Sequence, residues 1–175
     1  MLRFDASTAA CRIYIEKAGL LAALGHDLEV AVTRFELQID PAAPSAAGRF
    51  DAGSVRVVAA LERGLPRPGA LSDRDVRDVE ERIRKDVLDS ARHPAVEFTS
   101  TTIDREGAGF RVVGRLLLRG ATRTIAFPVR IDGPRHLAEA RLHQPDFGIR
   151  PYAAPFGALK VKPDVLVRVT LALPG

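Results

Sequence analysis

The pairing in this chain best suited to proton transfer is a histidine followed by an aspartate, at His26-Asp27. A carboxylate can orient an imidazole and stabilise its cation, which is the basis of general acid/base chemistry. Adjacent residues on an extended strand point to opposite faces, so the two side chains cooperate only across a turn. Gly25 can supply that turn, and Asp27 then has a competing structural use as an acceptor for backbone N–H groups. His93 precedes Pro94 at the end of a helical pattern, where a cationic side chain complements the helix dipole. His136 and His143 read as surface residues. The four histidines have no metal-binding spacing, and no G-x-S-x-G, Walker A or G-x-G-x-x-G pattern occurs. No catalytic residue, metal or cofactor is therefore expected. Cys11 shares its alternation with Ile13 and Ile15 and reads as a small buried hydrophobe. Arg150 and Tyr152 stand in a loop with Pro151, Pro155 and Gly157, where a guanidinium and a phenol can grip a polar group. Phe147, Tyr152 and Phe156 can equally serve to pack that loop down.

Composition narrows the function classes. At 175 residues, 46% apolar and 27% charged, the chain is long enough for one domain with a sizeable core and needs no disulfide, which a lone cysteine cannot form within the chain. The net charge is +4, but the 26 basic residues are scattered from Arg3 to Arg168, and tryptophan is absent. Binding of nucleic acid is not expected from so dispersed a charge with so few aromatic residues. No run approaches the roughly 20 apolar residues of a membrane span. Lys17 and the apolar stretch to Leu24 follow Asp5 and Glu16 and come too late for a signal peptide, so a cytoplasmic location is expected.

The positioning elements are mostly strands. Alternation predicts them over Ala10–Lys17, Leu28–Ile39, Arg49–Glu62, Ala95–Ile103, Phe110–Arg119, Thr124–Ile131, Ala138–His143 and Pro163–Leu173. Within the second, the apolar phase changes from Leu28, Val30 and Val32 to Phe35, Leu37 and Ile39, which predicts a β-bulge near Thr33-Arg34. Arg119-Gly120 predicts a hairpin turn. One helix is predicted over Asp73–Ala91, opened by Ser72 with Asp75 three residues on and stopped by Pro94. Its stripe is Val76, Val79, Ile83 and Val87. Pairs Asp78–Arg82, Glu80–Arg84 and Glu81–Lys85 fall on its flanks.

Four passages resemble the YceI-like family. They are D-x-x-x-x-P-x-x-x-F at Asp89 to Phe98, G-x-L-x-x-R-G-x-T-x-x-x-x-x-P-V at Gly114 to Val129, D-F-G-I at Asp146 to Ile149, and V-x-P-D-V-x-V-x-V-x-L at Val161 to Leu171. They lie in order over about the last half of the chain. The resemblance implies an all-β fold, an antiparallel lipocalin-like β-barrel of about eight strands with one flanking α-helix. It also implies non-enzymatic binding or transport of a polyisoprenoid, quinone or related lipid in the interior. The residues placed at that site are Phe98, Val112, Leu116, Leu118, Ile125, Phe127, Phe147, Val167 and Val169, with Arg150, Tyr152 and His26 as its polar members. A small-molecule lipid is the expected partner, without stable membrane insertion, and the resemblance admits a homodimer. Two other readings stay open: an enzyme acting on a lipid or amphiphile through His26 and Asp27, and a structural barrel filled by its own side chains.

Overall fold

The computed structural model describes residues 1–18, 25–153 and 160–173. Its strands are β1 (Leu2–Phe4), β2 (Ala9–Ala18), β3 (Asp27–Val32), β4 (Phe35–Asp40), β5 (Ser45–Asp51), β6 (Val55–Glu62), β7 (Leu65–Pro66), β8 (Ala95–Glu106), β9 (Gly109–Leu118), β10 (Ala121–Asp132), β11 (Arg135–His143) and β12 (Lys160–Ala172). They form one sheet, ordered β1-β4-β5-β8-β9-β10-β11-β12-β2-β3-β6-β7, and its paired strands run antiparallel. The sheet curls. β1 and β2 stand far apart in that order, yet only the turn Asp5–Thr8 separates them in the chain. One buried cluster accordingly unites Phe4, Cys11, Val32, Phe35, Leu37 and Leu171, drawn from both ends of the run.

Twelve strands replace the expected eight because two predicted strands break at corners and two short strands, β1 and β7, are added. The break at Thr33-Arg34 is no bulge: β3 continues into the pairing with β2 and β6, whereas β4 pairs with β1 and β5. A second corner, the 3-10 turn Ala52–Ser54, lies against the first. Thr33 donates its N–H to the Ser54 carbonyl at 3.1 Å, and the Arg34 N–H reaches Ser54 Oγ at 3.0 Å. Ser54 is fully buried, and Asp51 caps its turn by accepting from the Gly53 N–H. The backbone donors left without a ladder at Thr33 and Arg34 thus find acceptors on Ser54, and the Asp51 N–H finds the Arg34 carbonyl.

Helix α1 (Asp73–Arg82) begins with the predicted capping box, Ser72 and Asp75 bonding reciprocally. It runs as α-helix only to Arg82 and then widens into a π-helical segment, Ile83–Val87, ending before Asp89 at φ 47°. Arg84–Glu80 and Lys85–Glu81 pair as predicted, while Arg82 turns to Tyr152 and Asp78 to Arg74. Glu80 accepts the Val57 N–H at 2.9 Å, fastening the helix to β6. The β9–β10 hairpin turns on Arg119 at φ 50° and Gly120 at φ 77°, the two left-handed residues that a tight type I′ connection needs.

Candidate functional site

The curled sheet encloses an apolar cavity of about 310 Å³ between β4, β5 and β8 to β12. Its walls follow from strand periodicity. On β9 the alternate residues Phe110, Val112 and Leu116 face inward, on β10 Ile125, Phe127 and Val129, and on β12 Val167, Val169, Leu171 and Leu173. Gly114 shares the β9 face, and a Cβ there would lie 2.4 Å from the Phe98 ring, so the glycine makes room for that aromatic. The Phe98 and Phe127 rings pack at 5.5 Å between centroids with a 54° tilt.

A ladder on the outer face fixes this register. Arg130 on β10 meets Glu139 on β11 at 2.8 Å, Glu139 meets Arg168 on β12 at 2.7 Å, and Arg168 donates to Tyr14 of β2 at 3.2 Å. The Arg168 guanidinium also stacks over the Tyr14 ring. Because successive side chains alternate, holding Glu139 and Arg168 outside commits Ala138, Ala140, Val167 and Val169 to the inside.

One end of the cavity is floored. The D-F-G-I stretch begins inside a 3-10 turn, Gln144–Phe147, and Gly148 at φ 68° redirects the chain so that both Phe147 and Ile149 are buried. They cluster with Leu116, Leu118 and Leu142, and with Val87 and Leu88 from the end of the helical segment. The opposite end lies at the β4–β5 turn, where Asp40, Pro41, Pro44 and Ser45 border the cavity. Asp40 accepts the backbone N–H groups of Ala43 and Ala42, which hold its carboxyl below the usual range.

Of the residues assigned from sequence, Phe98, Val112, Leu116, Ile125, Phe127, Val167 and Val169 line the cavity. Leu118 and Phe147 do not: they are buried in the floor beneath it. Arg150 is exposed beyond that floor, and Tyr152 packs outside against α1, its ring 5.3 Å from the Arg82 guanidinium carbon. Neither is at the open end. His26 is half-buried just before β3, a strand that contributes nothing to the lining. Asp27 accepts the Lys17 N–H at 2.9 Å, a cross-strand structural role, and the loop residues 154–159 and the stretch 19–24 lie outside the described residues.

Among the lining residues left out of that assignment are Leu37 and Ile39, marked by their own alternation after the corner, Phe50 on β5, and Ile103, Phe110, Val129, Leu171 and Leu173. In β8 a bulge at Thr101 moves the inward phase from Phe98 to Ile103 and leaves Thr102 exposed, where unbroken alternation put Thr102 on the Phe98 face. Sequence reasoning also missed His136, read as a surface residue. That side chain lines the cavity, half-buried, and its Nδ1 is fully buried without a hydrogen-bond partner. His143 is exposed as expected, 2.6 Å from Asp164. Burial pushes the Cys11 thiol up to about 12, as suits a buried hydrophobe. Among the described residues no cluster of potential ligands could hold a metal, and no helix is long and apolar enough to cross a membrane.

A curled antiparallel sheet with an apolar interior and a flanking helix defines an all-β fold of the lipocalin-like kind. The YceI-like domain model matches residues 7–173, and the chain belongs to that family. Among solved structures it is similar to Burkholderia cenocepacia BcnA, with 17% identity, TM-score 0.67, and 97% of this chain and 99% of that one covered. A polyisoprenoid binding domain from Saccharophagus degradans, implicated in plant cell wall breakdown, matches with 13% identity and TM-score 0.54, over 95% and 94% of the two chains. The Campylobacter jejuni YCEI protein matches with 11% identity and TM-score 0.54, over 83% and 85%. Among curated proteins no match was found.

Proposed function

We propose that this protein binds a long apolar ligand, a polyisoprenoid, quinone or related lipid, in the interior of its curled sheet and carries it without chemical change. The observation that carries this reading is the cavity itself: about 310 Å³ walled by aliphatic and aromatic side chains, within the usual range for a small-molecule site. Each methylene moved there from water contributes about 0.8 kcal/mol, so a long tail gains affinity with length and needs few polar contacts. The Saccharophagus domain, described as polyisoprenoid-binding, supports the same class of ligand. The unfilled volume favours binding over a barrel packed solid by its own side chains. An enzymatic reading through His26 and Asp27 loses its support because neither residue lines the cavity and Asp27 is engaged by the Lys17 backbone.

Native mass spectrometry of the purified protein, followed by lipid extraction, tests the reading. A mass adduct that extracts as an intact hydrophobic compound is the expected result. Chemical conversion of that compound on incubation, or failure of the delipidated protein to take up any long-chain lipid, would overturn it.

A further inference from the structure

At the end of the cavity opposite the floor the chain builds an exposed turn without a polar side chain. The antiparallel order brings the β4–β5, β8–β9 and β10–β11 turns to that end. The first reads Pro41-Ala42-Ala43-Pro44, all four exposed, and its two prolines border the cavity. Its backbone has no free donor either: proline has none, and Asp40 Oδ1 accepts the Ala42 and Ala43 N–H groups at 3.0 and 3.2 Å. Ile131 stands at the same end. It is the next inward position of β10 after Ile125, Phe127 and Val129, but it lies past the lining and is 37% exposed.

A tip open to water that offers it neither a polar side chain nor an N–H can leave water at little cost. Lipid demands that property, because a backbone donor carried unpaired into an acyl layer is heavily penalised. The remaining carbonyls of the turn suit the hydrated head-group layer above. Asp40 and the exposed Arg105, Glu106, Asp132 and Arg135 give this end charges of both signs, with the acids in the majority, so it is not drawn to an anionic surface. The ligand supplies the direction: a long apolar molecule has to leave a lipid phase to reach the cavity, and it enters past Pro41 and Pro44. Resting on the lipid-binding reading above, we propose that the protein docks this end on a lipid bilayer, residues 41–44 dipping to the acyl boundary, so that the ligand crosses between bilayer and cavity without meeting water. Such a contact holds zwitterionic lipid and is indifferent to salt.

The test places an environment-sensitive fluorophore at Ala43→Cys or Leu65→Cys of the full-length protein, the buried Cys11 staying unlabelled. Leu65, on the edge strand β7, is 70% exposed and away from the lining, so it reports non-specific adsorption. With phosphatidylcholine vesicles bearing nitroxide on the acyl chains, the label at position 43 should be quenched and that at position 65 should not, at low and high salt alike. The double variant Ala42→Asp/Ala43→Asp should bind plain phosphatidylcholine vesicles at least about ten-fold more weakly than wild type, while taking up an apolar fluorescent dye equally well in vesicle-free solution. An unquenched label at position 43, equal quenching at both positions, quenching that salt abolishes, or a double variant that binds vesicles like wild type would overturn the docking and leave the cavity standing. Wild type that takes up no dye would overturn the lipid-binding reading, whatever the vesicles show, and with it the docking that rests on it.

Discussion

Replacing Ala140 with leucine separates a cavity that receives a ligand from one that only looks open. Ala140 lies on the inward face of β11, paired with Val167 of β12 and bordering both the cavity and the cluster beneath it. Leucine adds three carbons. Projected into unfilled volume, they gain about 2 kcal/mol in stability from burial at about 0.8 kcal/mol per carbon. Forced into occupied space, they would instead cost about 1–3 kcal/mol in strain. The same three carbons exclude about three from the ligand, so its binding should weaken by about 2.4 kcal/mol, roughly fifty-fold. Urea unfolding of the ligand-free protein, followed by far-ultraviolet circular dichroism because the chain lacks tryptophan, gives the first quantity. Dye displacement gives the second. A variant destabilised by more than about 2 kcal/mol with undiminished binding would refute the reasoning, since it would mean that the space beside Ala140 is already filled and the ligand lies elsewhere.

Gly114→Ala should destabilise the protein by about 1–3 kcal/mol in the same urea assay and weaken ligand binding, because its Cβ would meet Phe98 Cζ at 2.4 Å and the Thr99 carbonyl oxygen at 2.5 Å. Ser54→Ala leaves the Arg34 N–H without the acceptor it meets at 3.0 Å and should cost about 1–3 kcal/mol in urea unfolding, with the cavity unaltered. Cys11 should resist thiol reagents at pH 8 in the folded protein and react on unfolding. Its folded-state value of about 12 lies above the ordinary thiol value of 9.0, so between those limits the unfolded chain binds fewer protons than the folded one. The thiol's contribution is therefore fully present below pH 9 and is lost as pH rises toward 12, by up to about 1.4 kcal/mol per pH unit, as unfolding curves in a Cys11→Ala background would reveal by their flatter slope.

The inward faces of β9, β10 and β12 were legible because their alternation is unbroken and rich in large apolar residues. Where it breaks, one sequence supports more than one geometry. The phase change at Thr33-Arg34 is common to a bulge and a corner, and only the pairing partners of β3 and β4, distant in the chain, distinguish them. Thr101 carries no sequence mark of its bulge, so the inward shift to Ile103 was hidden. His136 shares its parity with Ala138, Ala140 and Leu142, all of which line the cavity. That was its available signal, but two alanines make a faint stripe. Arg150 and Tyr152 failed for another reason. They follow the D-F-G-I turn, but sequence does not say which end of the cavity that turn closes, and Phe147 and Ile149 place it at the floor, with Arg150 and Tyr152 outside the lining.

The existence of the cavity has a local cause in β11. Neighbouring β9, β10 and β12 send phenylalanine, valine, leucine and isoleucine inward, whereas β11 sends His136, Ala138, Ala140 and Leu142. A curled sheet of this size would close on its own side chains if each strand supplied large ones. Gly48 on β5 is a different case: a Cβ there would sit 2.8 Å from Phe50 and 2.9 Å from Leu37, so its missing side chain is compensated by two that lean over it. No such compensation covers the two alanines, whose flanks Glu139 and Arg141 belong to the outer face. Glu139 is held there by Arg130 and Arg168, and this outer ladder prevents β11 from slipping one residue and burying charge in place of alanine. The ladder and the alanines are thus two halves of one device, in which polar bonds on the outside keep a strand of small residues facing in, against the tendency of an apolar interior to fill.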